Sequence, residues 1–175
     1  MNSSDFQNFL LSRFSVHEFS DREIDPDDLM YIMHCARTAP SAGNRESWDV
    51  VIVSDEGLRE DLSDAAFRQE HIMDAPVILV VSANYVRSMS QYGERGIMYA
   101  IQDATIACTY MMLAAHSKNI SSCWTGAFDE EAVTEILSLP PHARPVALLA
   151  IGYGHLPLCR TERMPVLEHI HEEIW

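Results

Sequence analysis

A chain of 175 residues, 47% hydrophobic and 22% charged, is long enough for one well-buried core, so a single domain over 1–175 is expected. Its net charge of -14, from 26 acidic and 12 basic residues, gives a surface that repels nucleic acid and anionic membrane; neither is an expected partner. The four cysteines, Cys35, Cys108, Cys123 and Cys159, include no CxxC pair, which fits reduced thiols in a cytosolic protein. The start MNSSDFQNFLLSRF has neither a basic n-region nor an apolar h-region, so a cytoplasmic location is expected.

Residues 4–13 read as a short helix with Phe6, Phe9 and Leu10 on one face, followed by a polar turn over 12–22. Asp25-Pro26 opens the next helix, Asp as N-cap and Pro at the first helical position. Leu29, Ile32, Met33 and Ala36 form its apolar face, and Pro40 ends it. A strand is predicted at 49–53, a helix at 55–67 and a strand buried on both faces at 76–81. Further on come a strand at 120–128, a helix capped by Asp129 running to Leu139, and a second fully apolar strand at 145–153. Residues 154–164 read as loop, and 166–175 as a last amphipathic helix.

Between these lies Gly96–Lys118, apolar on every side of the helical wheel. Ile97, Ile101, Ala104, Cys108 and Met111 lie on one flank; Met98, Ile106, Tyr110 and Leu113 lie on others. Such a helix is expected to be buried all round, in a core or a subunit interface. Gln102, Asp103, Thr105, Thr109 and His116 argue against a membrane span. Buried strands spaced by helices give one three-layer α/β or α+β domain, with helices on both faces of a sheet.

Four stretches carry the candidate chemistry. Arg13-Phe14-Ser15-Val16-His17 offers a guanidinium fork, a hydroxyl and a further cation, a set that can surround a phosphate. The loop from Pro40 to Trp48 supplies a kink, small side chains, an amide and an indole, which suit a flat ring with polar edges. Cys123-Trp124-Thr125-Gly126 ends a predicted strand with a glycine that lets a backbone N–H face a ligand. Arg160-Thr161-Glu162-Arg163 is a second basic group in an acidic chain. The pair His169-x-His171 has i, i+2 spacing, wrong for one helical face, and no metal site is expected. No GxGxxG or Walker sequence occurs.

In that order, SRFSVHEFSDREI, TAPSAGNRESWDVVIVSD, YAIQDATIACTYMMLAAHSKNISSCWTGAFDEEAVTEILSLP and PVALLAIGYGHLP with RTERMPVLEHIH resemble the nitroreductase family over nearly the whole chain. The resemblance implies an α+β fold: a three-layer α/β/α sandwich on a mixed sheet of four to five strands, with the apolar helix central to a homodimer. It also implies FMN at the dimer interface and hydride transfer from NADH or NADPH to a small acceptor, a nitro compound or quinone, by ping-pong. Arg13, Ser15 and Arg163 match positions that hold the FMN phosphate, and Pro40, Ser41, Ala42 and Asn44 a loop that reaches the flavin from the other subunit. Trp124, Thr125 and Gly126 match the strand end beside the reactive edge of the ring. With Phe14, His17 and Arg160, these make the expected cofactor set; no side-chain catalyst is required.

Three departures bear on function. His17 stands where the family commonly has a basic residue, and Glu46 stands where an amide is usual. Residues 55–95 are shorter than in many members, in a region that often covers the substrate cleft. These departures favour the alternative of a flavin carrier or redox sensor with little turnover. Gly93–Gly96 is read as a helix-to-helix loop rather than a mobile lid. Asp103 is read as a helix-end or interface contact rather than a catalyst.

Overall fold

A computed structural model describes residues 2–155 and 162–175. In chain order the elements are α1 (Ser3–Ser12), α2 (Pro26–Ala36), β1 (Trp48–Val53), α3 (Glu56–Ala65), α4 (Glu70–Asp74) and β2 (Val77–Asn84). They continue with α5 (Tyr85–Tyr92), α6 (Arg95–Ser117), β3 (Ser121–Thr125), α7 (Glu130–Ile136) and β4 (Ala143–Gly152). Helix starts follow local chemistry. Asn2 and Asp5 form a capping box on α1, and Asp25 accepts the Asp27 N–H at 2.8 Å with Pro26 behind it. Asp129 caps α7 by accepting from Glu131 and Ala132.

The strands lie in the order β1-β2-β4-β3, and every pairing between them is antiparallel. Among the described residues, parallel pairing enters only as an isolated bridge between Ser15 and Ser122. The expected mixed sheet is therefore antiparallel in all four named strands. The 13–17 segment runs parallel to β3 but pairs through one residue, so it stays a bridge rather than a fifth strand.

Side-chain alternation on the central strands divides the core in two. Val77, Leu79, Val81 and Ala83 of β2, with Ala147, Leu149 and Ile151 of β4, face α2 and α6. Ile78, Val80, Leu148 and Ala150 face the layer of α3, α4 and α7. The result is helices, sheet, helices, as the apolar runs at 76–81 and 145–153 require.

Helix α6 departs from the expectation of burial all round. Its buried side is built of small residues, Gly96, Ala100, Ala104, Ala107, Ala114 and Ala115, with Asp103, Cys108 and Met111. Ile97 and Met98 are exposed, and Ile101, Ile106, Tyr110 and Leu113 are only half-buried. By length and composition α6 could cross a membrane; in this fold its small-residue side is a core face. Met111 is fully buried against the sheet and does not belong to the outer side.

Other differences have local causes. Residues 166–175 form only a 3-10 turn at Val166–His169, and all of them are exposed; a short helix with nothing to pack against is not stable alone. Helix α7 ends at Ile136, short of Leu139, with Ser138 at φ 50° and Pro140 just beyond. Helix α4 was not expected, and α5 entered only as the helix that a helix-to-helix loop at Gly93–Gly96 implies. The Asn84 side chain accepts the Arg87 N–H to start α5, and Gly93 at φ 56° ends it, so Gly93–Glu94 is the turn into α6 and not a lid. Cys35, Cys108 and Cys123 are free thiols; Cys159 lies outside the described residues.

The α5–α6 turn needs Gly96. A Cβ there would sit 2.6–2.7 Å from backbone atoms of Ser88 and Met89. Alanine would gain about 1 kcal/mol in helix propensity, but overpacking against backbone costs roughly 1–3 kcal/mol. With contacts to backbone this short the cost falls at the upper end, so Gly96→Ala is expected to lower stability by up to about 2 kcal/mol in chemical denaturation, reversing the usual sign of Gly→Ala in a helix.

Candidate functional site

The 13–17 segment is extended, and its alternation sorts the side chains. Val16 is 1% exposed and donates its N–H to the Ser122 carbonyl at 3.1 Å. Arg13, Ser15 and His17 therefore share the other side, the spacing a strand-like backbone dictates. Arg13 is half-buried, and its pKa is held below the ordinary arginine value, first by burial and then by repulsion from Arg163; Cys123 pulls it the other way. The structure thus brings the two arginines together, although 150 residues separate them in the chain. Among the described residues neither has a carboxylate ion-pair partner. Phe14 is half-buried beside them, and Arg160 lies outside the described residues.

Strand β3 supplies the next group. Cys123 and Thr125 are buried on the α4 side of the sheet, while Trp124 packs on the α6 side. The Thr125 hydroxyl is hydrogen-bonded to Nε2 of His71, on α4, at 2.7 Å. His17 meets His71 edge to face, with ring centroids 4.9 Å apart, and lies 3.8 Å from the Cys123 sulfur. Burial lowers the His71 pKa, helped by the His17 charge and opposed by Asp74; burial raises the Cys123 thiol to about 11. Gly126 is exposed, with nothing pressing on the space a side chain would take, so its backbone is open to a ligand.

The loop leading to β1 is held from two sides. Buried Asp103 of α6 accepts the backbone N–H groups of Ala42, at 2.9 Å, and Ser47, at 3.2 Å. From α5, Arg87 donates to the carbonyls of Glu46 and Trp48 and pairs with Asp49, while Arg45 donates to Ser90. Between these anchors Gly43, Asn44 and Glu46 take φ of 56°, 55° and 47°. Asparagine visits that region readily; glutamate does so at a cost, met here by Ser41 Oγ, which accepts the Glu46 N–H at 3.0 Å. Glu46 is half-buried, and Pro40 and Asn44 are exposed. Sequence reasoning missed the clamp by Arg87 and the His71–Thr125 pair, whose members lie on elements that only the tertiary fold brings together.

The loop and the arginine corner are not adjacent. Ser47 accepts from Asn84 at the far end of β2, whereas Ser122 registers with Ile151 and, through it, with Val77 at the near end. That is roughly 20 Å along the strands, with β1 and β3 at opposite edges about 14 Å apart. Helix α6 gives an independent ruler. Asp103 holds the loop, and His116, hydrogen-bonded to Ser12 at 2.8 Å beside Arg13, lies thirteen residues on, about 20 Å at 1.5 Å per residue. Within one chain the expected set therefore falls into two groups: Arg13, Ser15, His17, Trp124, Thr125 and Arg163 near one corner, and Pro40, Ser41, Ala42 and Asn44 near the opposite one.

The ligand-type residues of this three-layer α+β fold thus divide between two corners, and α6 is open on its outer side between them. The chain belongs to the nitroreductase family, whose sequence profile matches residues 10–70 and 63–153. It is 30% identical to the NADH dehydrogenase of Thermus thermophilus, over 89% of this chain and 90% of that one. It is 24% identical to the FMN reductase (NADPH) of Bacillus subtilis, over 95% and 72%. The solved NfrA1 nitroreductase of B. subtilis superposes with a TM-score of 0.89 at 22% identity, over 96% of this chain and 74% of that one.

Asp103→Ala would leave two backbone N–H groups without acceptors. It is expected to cost about 2–4 kcal/mol and to free the 41–47 loop, seen as faster amide exchange confined to that loop. A second expectation concerns pH. Burial, aided by Arg13, lowers the His116 pKa, against the pull of the Phe9 carbonyl. A folded value below the unfolded one means stability is full above about pH 6.5 and is lost as pH falls through the folded value. The melting temperature is expected to drop on that acid side, and less so in His116→Gln.

Proposed function

We propose that the chain is an FMN-dependent NAD(P)H oxidoreductase acting on a small electrophilic acceptor, a nitro compound, a quinone or a similar molecule. Family membership and relatives named NADH dehydrogenase and FMN reductase support nicotinamide-dependent oxidoreduction. One observation carries the cofactor assignment: Arg13 and Arg163 are held near one another on a chain of net charge -14, with no carboxylate paired to either among the described residues. Two guanidinium groups that repel each other are stabilised by an anion between them, and Ser15 adds a hydroxyl on the same side of the segment. A phosphomonoester fits that donor set.

In this reading Arg13, Ser15 and Arg163 hold the phosphate. Trp124 and Gly126 border the ring, and the 40–44 loop of a second copy covers it. FMN held there would supply the redox chemistry, hydride transfer between NAD(P)H and a small acceptor by a ping-pong scheme. The chain's own part is to bind, orient and exclude water; Asp103, buried and engaged with two backbone N–H groups, serves the loop and not the reaction.

A homodimer is part of the same proposal, and the outer side of α6 supports it. Two α6 helices crossing antiparallel on a two-fold axis bring residue 103 of one copy beside residue 116 of the other when they cross near Thr109–Tyr110. Ile106, Tyr110 and Leu113 lie on the open side there. An apolar groove of about 900 Å³ lined by Phe6, Phe9, Tyr31, Tyr110 and Leu113 continues that surface.

The test is a visible spectrum of the purified protein followed by anaerobic NADH or NADPH. Yellow protein that bleaches rapidly is the expected result; slow or absent bleaching would favour a carrier. Arg13→Ala with Arg163→Ala is expected to be folded and colourless, and Ile106→Glu monomeric and colourless. Colour retained in either variant would overturn the corresponding part of the assignment.

A further inference from the structure

We propose that His17, His71 and Cys123 form a site for a soft divalent cation of the zinc class, on the side of the chain assigned to the flavin, so that cation and cofactor compete for His17. The competition clause rests on the function proposed above; the cation site does not. One ligand atom from each residue lies within 4.8 Å of the other two, and the sulfur sits 3.8 Å from both His17 ring nitrogens. Tetrahedral zinc with bonds of about 2.3 Å to sulfur and 2.0–2.1 Å to nitrogen sets its ligands about 3.6 Å apart. The Cys123–His17 spacing is close to that already. The widest separation in the set exceeds that spacing by about 1 Å, and since the sulfur is equidistant from both His17 nitrogens, the exposed His17 ring turns to aim one of them at the cation.

The surroundings suit a ligand set rather than a packed core. His71 is 5% exposed, and its Nε2 is tied to Thr125 Oγ1 at 2.7 Å. In the tautomer that donates Nε2–H to Thr125, the Nδ1 lone pair is left free, and the ring is oriented by its partner as metal-bound histidines usually are. Two histidines and one cysteine are a donor set for zinc or cobalt rather than magnesium or calcium. Exposed His17 leaves a solvent-facing position for water as the fourth ligand. On binding, the Cys123 S–H bond breaks, a sulfur–metal bond forms and the proton passes to solvent; no electron moves. Of the charged groups nearby, Asp74 favours the cation and Arg13 opposes it while favouring the thiolate.

The experiment titrates Co2+ into the full-length chain stripped of flavin. The expected result is the visible band pattern of tetrahedral cobalt with a near-ultraviolet thiolate-to-cobalt band, at one equivalent. Cys123→Ser should remove the thiolate band, and His71→Ala should weaken binding at least tenfold; circular dichroism of both checks that they fold. No thiolate band, or a band that survives Cys123→Ser, overturns the site. FMN is then titrated with and without saturating Zn2+. A tenfold or greater rise in its apparent Kd supports competition, and an unchanged Kd overturns it. If FMN fails to bind in either case, the flavin assignment falls and competition with it, while the cation site is decided by the cobalt spectrum.

Discussion

The structure depends on the close approach of α6 to the sheet, which its small residues permit. Gly96, Ala100, Ala104, Ala107, Ala114 and Ala115 lie on the buried side, and Ile101, Ile106, Tyr110 and Leu113 lie towards the outside. An ordinary surface helix does the reverse, turning its bulk inward and its polar residues out. A helix with alanines inward comes near enough for Asp103 to reach the backbone of the 41–47 loop. The same inversion leaves Ile106, Tyr110 and Leu113 only half-buried on the outer side.

From that approach follows the division of the site. One end of α6 fixes the loop through Asp103, and the other receives α1 through His116, Ser12 and the Phe9 ring, whose centroid lies 4.8 Å from the imidazole. Docking α1 there sets where the extended 13–17 segment begins, and its bridge to Ser122 then aims Arg13, Ser15 and His17 outward. A helix of 23 residues thus acts as a spacer, holding the 41–47 loop and the 13–17 segment about 20 Å apart. Neither half can be moved without repacking the core around Ala100, Ala104 and Met111.

Much of this was legible in the sequence. The unbroken apolar runs of β2 and β4, the Asp25-Pro26 start and the apolar wheel of α6 each carry a local signal strong enough to survive without tertiary context. What was not legible depends on distant pairings or short elements. Helix α5, YVRSMSQY, has no long apolar stripe, and the five residues of α4 are too few to show a period. The inner and outer sides of α6 could not be told apart, because a wheel apolar all round does not say which side meets the sheet. Arg13 and Ser15 were legible as a set that could surround a phosphate, and their pairing with Arg163 came from resemblance, whereas the grouping of His17, His71 and Cys123 has no counterpart in spacing at all. Their separations of 54 and 106 positions carry no pattern.

The acidic surface and the arginine corner act over different ranges. With a screening length of about 8 Å at physiological ionic strength, the net charge of -14 weakly opposes the approach of any anion, while Arg13 and Arg163 act only on one already in place. Such an arrangement discriminates by local geometry rather than by attraction from afar. A diffuse basic patch would collect polyanions indiscriminately. In the proposed assignment, two guanidiniums in an acidic field, one of them half-buried, would retain a small anion that fits between them and leave longer polyanions repelled by everything around it. That selectivity is what the proposed phosphate corner requires on a chain whose net charge is -14.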